Sequence, residues 1–195
     1  MATTIRFLGA VKTVTGSRFL IESEKSKVMI DCGLYQGLKE LRLKNWEPFP
    51  IEPGTIDAVV ISHAHLDHCG YLPKLVREGF CGPVYATTYT AKLAAIVLRD
   101  SAKLQVEDAK YAKRKGFSKH KEPAALYNYK EAEAAIALFK TVPFGKKIEI
   151  AKSCEVTFHR SGHILGSSFL ELESDGKRII FTGDIGRGGH RILSN

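Results

Sequence analysis

The chain predicts an α/β fold, a mixed sheet covered by helices, because strand-like runs at both ends bracket a helical middle. Three observations carry that reading. Short β-branched and apolar runs recur between residues 4 and 86 and again between 147 and 181. Helical spacing of apolar residues fills the middle, from about Thr90 to Phe139. A histidine or aspartate flanked by turn residues follows four of the strand-like runs. With 195 residues and 44% hydrophobic content, the sequence suits one domain spanning 1–195.

In order, strands are predicted at Thr4–Leu8, Phe19–Ser23, Lys27–Asp31, Ala58–Ile61 and Pro83–Ala86. A short helix should run from His68 to Glu78 with Leu72, Leu75 and Val76 inward. A long helix should cover Thr90 to Lys113, where Leu93, Ile96, Val97 and Leu104 recur near helical spacing. Gly116 is suited to end it, and Pro123 blocks its resumption. A third helix fits Lys130–Phe139. Strands resume at Lys147–Ile150, Cys154–His159, Phe169–Glu173 and Arg178–Phe181, with Ser174-Asp175-Gly176-Lys177 as a hairpin turn. No internal repeat or low-complexity linker interrupts this order.

The most informative segment is His63-Ala64-His65-Leu66-Asp67-His68, directly after the buried-strand run Asp57–Ser62. Three of the seven histidines fall within these six residues. At near-extended spacing, His63, His65 and Asp67 share one side of the backbone. Imidazole nitrogens with a carboxylate oxygen suit zinc and similar transition metals. His163, in Ser161-Gly162-His163-Ile164-Leu165-Gly166-Ser167, and Asp184, in Thr182-Gly183-Asp184-Ile185-Gly186, occupy comparable loops after strands. Glycines there permit sharp turns and close approach to a ligand. Asp31 repeats the pattern in Val28-Met29-Ile30-Asp31-Cys32-Gly33. A buried carboxylate at that point would orient a ligand histidine by hydrogen bonding. The plain alternative for Asp31 is a side chain that stabilises its own turn.

The series His63-x-His65-x-Asp67-His68, then His163, then Asp184 resembles the ligand series of the metallo-β-lactamase superfamily. Leu8-Gly9-Ala10, Val14-Thr15-Gly16-Ser17 and Asp31-Cys32-Gly33-Leu34-Tyr35-Gln36-Gly37 resemble the opening of its β-CASP branch. Leu66–Leu75, Gly82–Thr87, Gly162–Ser167 and Gly183–Arg187 are similar to that branch as well. The resemblance implies a partial αββα sandwich, mixed β-sheets flanked by helices. It implies that His63, His65 and His163 hold one Zn2+, that Asp67 and His68 hold a second, and that Asp184 bridges the two. Asp67 would also orient the attacking water. The implied activity is two-zinc hydrolysis of phosphodiesters in RNA or DNA, most simply RNA processing. In the family the chain continues well beyond the Gly-Asp motif, through the rest of the sandwich, an inserted β-CASP domain and further histidines. The sequence here ends eleven residues after Asp184, so it reads as an N-terminal portion. Such a portion should be weakly active or inactive alone, and a homodimer would belong to the intact protein.

Composition bounds the remaining possibilities. No segment approaches the roughly 20 apolar residues that cross a bilayer. The N-terminus lacks an apolar signal region, and four cysteines without paired spacing suit a reduced, cytoplasmic setting. The net charge of +8 is unevenly placed: eight Lys or Arg face three acids between Arg99 and Lys121. Lys113, Arg114, Lys115, Lys119 and Lys121 are therefore candidate nucleic-acid contacts, with Tyr111, Phe117, Tyr127 and Tyr129 interleaved as stacking or anchoring groups. The plain alternative is a solvated helix end and loop. Other functions compatible with the ligand set are hydrolysis of small esters, thioesters or lactones, or binding of RNA or a partner without catalysis. His120, His159 and His190 read as bystanders, and Tyr35-Gln36-Gly37 as a wall of the site.

Overall fold

The computed structural model describes residues 3–116 and 124–189. Two sheets face each other. The first has six strands in chain order: β1 (Thr4–Phe7), β2 (Phe19–Glu22), β3 (Lys27–Ile30), β4 (Ala58–Val60), β5 (Val84–Thr87) and β6 (Phe139–Val142). β1 to β3 pair antiparallel, and β3 to β6 pair parallel. The second sheet is antiparallel, with β7 (Ile148–Ala151), β8 (Cys154–Arg160), β9 (Ser168–Ser174) and β10 (Lys177–Phe181) in the order β10-β9-β8-β7.

Between the strands lie α1 (Lys39–Leu43), α2 (Leu66–Cys69), α3 (Leu72–Arg77), α4 (Thr88–Lys115) and α5 (Tyr129–Ile136). Successive side chains of a strand point to opposite faces, and both faces of the first sheet are covered. Leu20, Met29, Val59 and Ile61 pack towards the helices with Leu72, Leu75 and Leu98. Ile21, Val28, Ile30 and Val60 pack towards the second sheet against Val156, Phe158, Leu170 and Leu172. In β9 every second residue is buried, as one covered face requires. The outer face of the second sheet carries no helix among the described residues. Charged pairs occupy it instead, Lys147–Glu173 at 2.6 Å and His159–Glu171 at 3.0 Å. The layering seen is therefore helix, sheet, sheet.

Several sequence expectations are corrected. The single helix expected over His68–Glu78 is two, α2 and α3, separated at Gly70 and Tyr71. In α4 the buried stripe is Thr90, Ala94, Leu98, Ser101 and Ala102, whereas Ile96 and Leu104 are exposed. Small residues on that stripe let the long helix lie close to its neighbours, a packing effect that hydrophobicity alone does not reveal. Phe139 does not end α5 but opens β6, which adds to β5 in parallel register. The short helix α1 was likewise not foreseen. Gly116 does end α4, with φ of 67°, the left-handed conformation that glycine tolerates. Pro123 lies outside the described residues.

Candidate metal centre

Four loops leave the same rim of the sandwich. β3 and β4 are parallel, and β8 and β10 run alike because both are antiparallel to β9. Their C-terminal ends deliver Asp31, His63, His163 and Asp184. Ser168 ties the sheets together here, its N–H and Oγ both donating to the Ser62 carbonyl at 3.0 and 2.9 Å.

Two close backbone approaches seat the loops. Gly33 N–H donates to the Ser17 carbonyl, Ser17 N–H to Asp67, Cys32 N–H to His68 and Leu34 N–H to Leu66, at 2.7–3.0 Å. A Cβ on Gly33 would lie 1.6 Å from the Asp67 carbonyl oxygen, so only glycine fits. At Gly186 a Cβ would lie 1.9 Å from the Gly162 carbonyl oxygen, and its N–H donates to Ser161 at 2.8 Å. That contact lays the Asp184 loop on the His163 loop. Beneath Gly33 the buried Arg18 donates through Nε to the Gly33 carbonyl at 2.7 Å and sits 3.9 Å above the Tyr71 ring.

The side chains converge. His63 Nε2 lies 3.1 Å from His65 Nδ1, which lies 3.2 Å from His163 Nε2. Asp184 Oδ2 is 3.3 Å from His163 Nε2 and 3.8 Å from His63 Nε2. Ligand atoms of His63, His65, His163 and Asp184 all fall within 4.8 Å of one another, a group that could hold a metal ion. A tetrahedral zinc with bonds of about 2.0–2.1 Å sets its nitrogens about 3.3 Å apart, so the spacing fits. A second, looser set adjoins it: His68 Nε2 is 3.5 Å from Asp184 Oδ1 and 4.0 Å from Asp67 Oδ2. The extended run ends at His65, since Asp67 sits in the first turn of α2.

Asp31 organises both sets. Its Oδ1 accepts from Ser62 N–H at 2.8 Å, and its Oδ2 accepts from Ser62 Oγ at 2.9 Å and His68 Nδ1 at 2.7 Å. Because Ser62 Oγ gives its proton to Asp31, it accepts from His63 Nδ1, 3.1 Å away. One carboxylate thus fixes two tautomers, leaving the Nε2 lone pairs of His63 and His68 facing the cluster. The backbone of Asp31 is left-handed, with φ of 55°, and these bonds hold it there.

The electrostatics favour neutral imidazoles with available lone pairs at His63 and His65. Burial, then the neighbouring His68, His65 and His163, push the His63 pKa down to about 2. Burial and His163 also lower that of His65. Burial disfavours the His68 imidazolium too, but Asp31, Asp67 and Asp184 outweigh it and the net shift is upward.

Several supporting residues were not singled out in the sequence. Thr87 Oγ1 and Thr90 Oγ1, at the start of α4, donate to the Gly166 carbonyl at 2.6 and 2.8 Å. Ser167 Oγ accepts from the N–H groups of His163 and Ile164, both at 3.1 Å. Only the strand-to-helix position of Thr87, an N-cap, left a local signal. Cys32 and Cys69 are fully buried, which matches small apolar fillers. His159 pairs with Glu171 on the outer face of the second sheet, away from the cluster. Lys113, Arg114 and Lys115 form the exposed last turn of α4. Lys119, Lys121, Phe117, His120 and His190 lie outside the described residues.

Comparison with known proteins places this arrangement. Ribonuclease TTHA0252 of Thermus thermophilus is 35% identical over 185 residues, 95% of this chain and 38% of that protein. The transcription termination factor FttA of Methanocaldococcus jannaschii is 30% identical over 191 residues, 97% of this chain and 28% of that factor. The chain thus spans 28–38% of the length of these two relatives. A metallo-β-lactamase of Cronobacter sakazakii with a HARLDQ motif superposes with a TM-score of 0.57 at 17% identity, covering 97% of this chain and 62% of that structure. Residues 13–194 match the family model of the metallo-beta-lactamase superfamily, and the chain belongs to that superfamily.

Proposed function

We propose that this chain is the metal-binding part of a β-CASP-type, zinc-dependent nuclease that hydrolyses RNA phosphodiesters. The observation that carries this is the convergence of three imidazole nitrogens and a carboxylate oxygen within 4.8 Å of one another, with His63 held through Ser62 so that its Nε2 lone pair faces inward. The printed names of the relatives, a ribonuclease and a transcription termination factor, support RNA over a small ester. His63, His65 and His163 would hold a first ion and Asp67 and His68 a second, with the Asp184 carboxylate near His163, His63 and His68. When bound, such ions activate water and neutralise charge developing on a phosphodiester. Asp67, partly exposed beside His68, orients the attacking water. Asp31 keeps His63 and His68 in the tautomers that present Nε2. The half-exposed Asp184 carboxylate closes the first group of ligands from the side open to substrate. The second set is looser than the first, so the chain binds its second zinc more weakly and cleaves RNA slowly at best.

The test is zinc per chain by elemental analysis after dialysis, beside His63→Ala, followed by cleavage of labelled RNA. One tightly held zinc or two, lowered in the variant, supports the reading. Zinc that is absent, or unaffected by His63→Ala, would overturn it. Rapid cleavage by the 195-residue chain would overturn the weak second site.

A further inference from the structure

Two cations, Arg18 and Lys74, are buried at 3% exposure each, and both lie against the Tyr71 ring. Arg18 Cζ is 3.9 Å and Lys74 Nζ 5.1 Å from its centroid. Burying a charge costs far more than burying an apolar side chain of similar volume. Burial accordingly works against both charges and lowers both pKa values. Their polar contacts differ. Lys74 Nζ donates to the Asn45 and Glu47 carbonyls at 2.7 and 3.2 Å and pairs with Glu78 at 3.3 Å. Arg18 donates through Nε to the Gly33 carbonyl at 2.7 Å and through Nη2 to Asn45 Oδ1 at 3.1 Å. Of the two, Arg18 is the cation bonded to the segment that carries Asp31.

We propose that Arg18 is a positioning residue for Asp67, its guanidinium setting the Gly33–Leu34 peptide against which the Asp67 backbone rests. A peptide is planar, so its C=O and the N–H that follows turn together. Here Arg18 holds the Gly33 C=O, and the Leu34 N–H donates to the Leu66 carbonyl at 2.8 Å, one residue before Asp67. A second route returns to the same place. Gly33 N–H donates to the Ser17 carbonyl at 3.0 Å, and Ser17 N–H donates to the Asp67 carbonyl at 2.8 Å. Little slack remains, because a Cβ on Gly33 would already lie 1.6 Å from the Asp67 carbonyl oxygen. The next peptide is held as well, since Asn45 Oδ1 accepts from Tyr35 N–H at 2.9 Å as well as from Arg18.

Arginine suits this place by shape. Its planar fork presents Nε and Nη2 to two acceptors at once, while its flat face lies on an aromatic ring. A lysine offers one donor centre and cannot reproduce that fork. His68 shares the support, because Cys32 N–H, from the peptide just before Gly33, donates to the His68 carbonyl at 2.7 Å. His63 leaves the end of β4 and His163 follows β8, so Arg18 bears first on the Asp67–His68 set. That this set holds zinc rests on the proposed function; the linkage of Arg18 to its backbone does not.

The test compares Arg18→Met and Arg18→Lys with Lys74→Met, which removes an equally buried cation from the same ring. Amide hydrogen exchange is measured by NMR on the metal-free 195-residue chain, and zinc affinities by competition with a chromophoric chelator. Exchange at Ser17, Gly33 and Leu34 is taken relative to the buried strand amides of Val59 and Leu170, which removes any change in global stability. Both Arg18 variants should speed the relative exchange of Ser17 and Leu34 and weaken the second zinc, each by about tenfold or more, as loss of an orienting partner does. The first zinc should stay within about threefold, a margin well inside that range. Lys74→Met should lower stability yet leave the relative exchange and both zinc affinities within the same margin. If Arg18→Met does not fold, Arg18→Lys against Lys74→Met decides alone, because lysine keeps the charge. Wild-type exchange in Arg18→Lys, or equal losses in Lys74→Met, would overturn the proposal. So would faster exchange with an unchanged second zinc. A wild-type chain that binds no zinc overturns the nuclease reading, and the exchange ratios still decide whether Arg18 holds the Asp67 backbone.

Discussion

Replacing Asp31 perturbs both halves of the metal centre at once, and its consequences can be worked out from three hydrogen bonds. In Asp31→Ala the buried donors Ser62 N–H, Ser62 O–H and His68 Nδ1–H lose their common acceptor. Orphaning a buried donor costs about 1–3 kcal/mol. A water filling the vacated space recovers part of it, so the expected loss is about 3–5 kcal/mol, a large share of a domain's 5–15 kcal/mol. Asp31→Asn removes the cavity from consideration, because the amide has the same shape. Whichever way it is turned, its NH2 group meets at least one of those donors. Without the carboxylate, His63 and His68 no longer hold Nδ1–H, and each gains the freedom to present the wrong nitrogen. Loss of such an orienting partner typically lowers metal affinity about 10–100-fold. The assays are urea unfolding of the metal-free chain and zinc competition against a chromophoric chelator. Asp31→Asn should lose zinc affinity in that range, and Asp31→Ala should lose stability as well. If Asp31→Asn held zinc within twofold of the parent, Asp31 would be a turn residue and the relay through Ser62 would be wrong.

Other outcomes follow from the same geometry. Gly33→Ala forces a Cβ into the Asp67 carbonyl; overpacking of this kind costs about 1–3 kcal/mol, and Asp67 must move. Unfolding midpoint and zinc stoichiometry together report it, and an unchanged pair would deny the close approach. Replacing Thr87 and Thr90 by valine leaves the Gly166 carbonyl without its two hydroxyl donors, so zinc affinity should fall, with serine at both positions restoring it. Valine variants that hold zinc normally would separate α4 from the His163 loop. Leu98→Ala, in the core under α4, should cost about 2–5 kcal/mol in urea unfolding without altering the zinc stoichiometry. Burial pushes the Cys32 and Cys154 thiols up to about 12. A raised pKa keeps them protonated and unreactive at pH 8, so iodoacetamide should label only the exposed Cys81 in the folded chain and all four cysteines in urea. Native labelling of Cys32 would contradict the burial of the Asp31 segment.

Much of this was legible in the chain. Strands β1 to β5 and β7 to β10 announced themselves by β-branched runs, and the ligand residues by type and spacing, since both signals are local. β6 was not, because Phe139-Lys140-Thr141-Val142 follows an alanine-rich helix and becomes a strand only by pairing with β5. The stripe of α4 was misjudged at Ile96 and Leu104, because burial there is decided by how closely the helix lies on the sheet. His63-Ala64-His65-Leu66-Asp67-His68 sets the ligand types, but no spacing in the sequence says that His163, 98 residues from His65, comes within 3.2 Å of it. The same holds for the service of Asp31 to two histidines and the clamp of Thr87 and Thr90 on Gly166. By itself the sequence determined which side chains can bind a metal and which segments are strands, properties of neighbouring residues. Only the tertiary structure decided which lone pairs face one another, because that depends on strand direction, on the packing of two sheets, and on glycines that let separate loops touch.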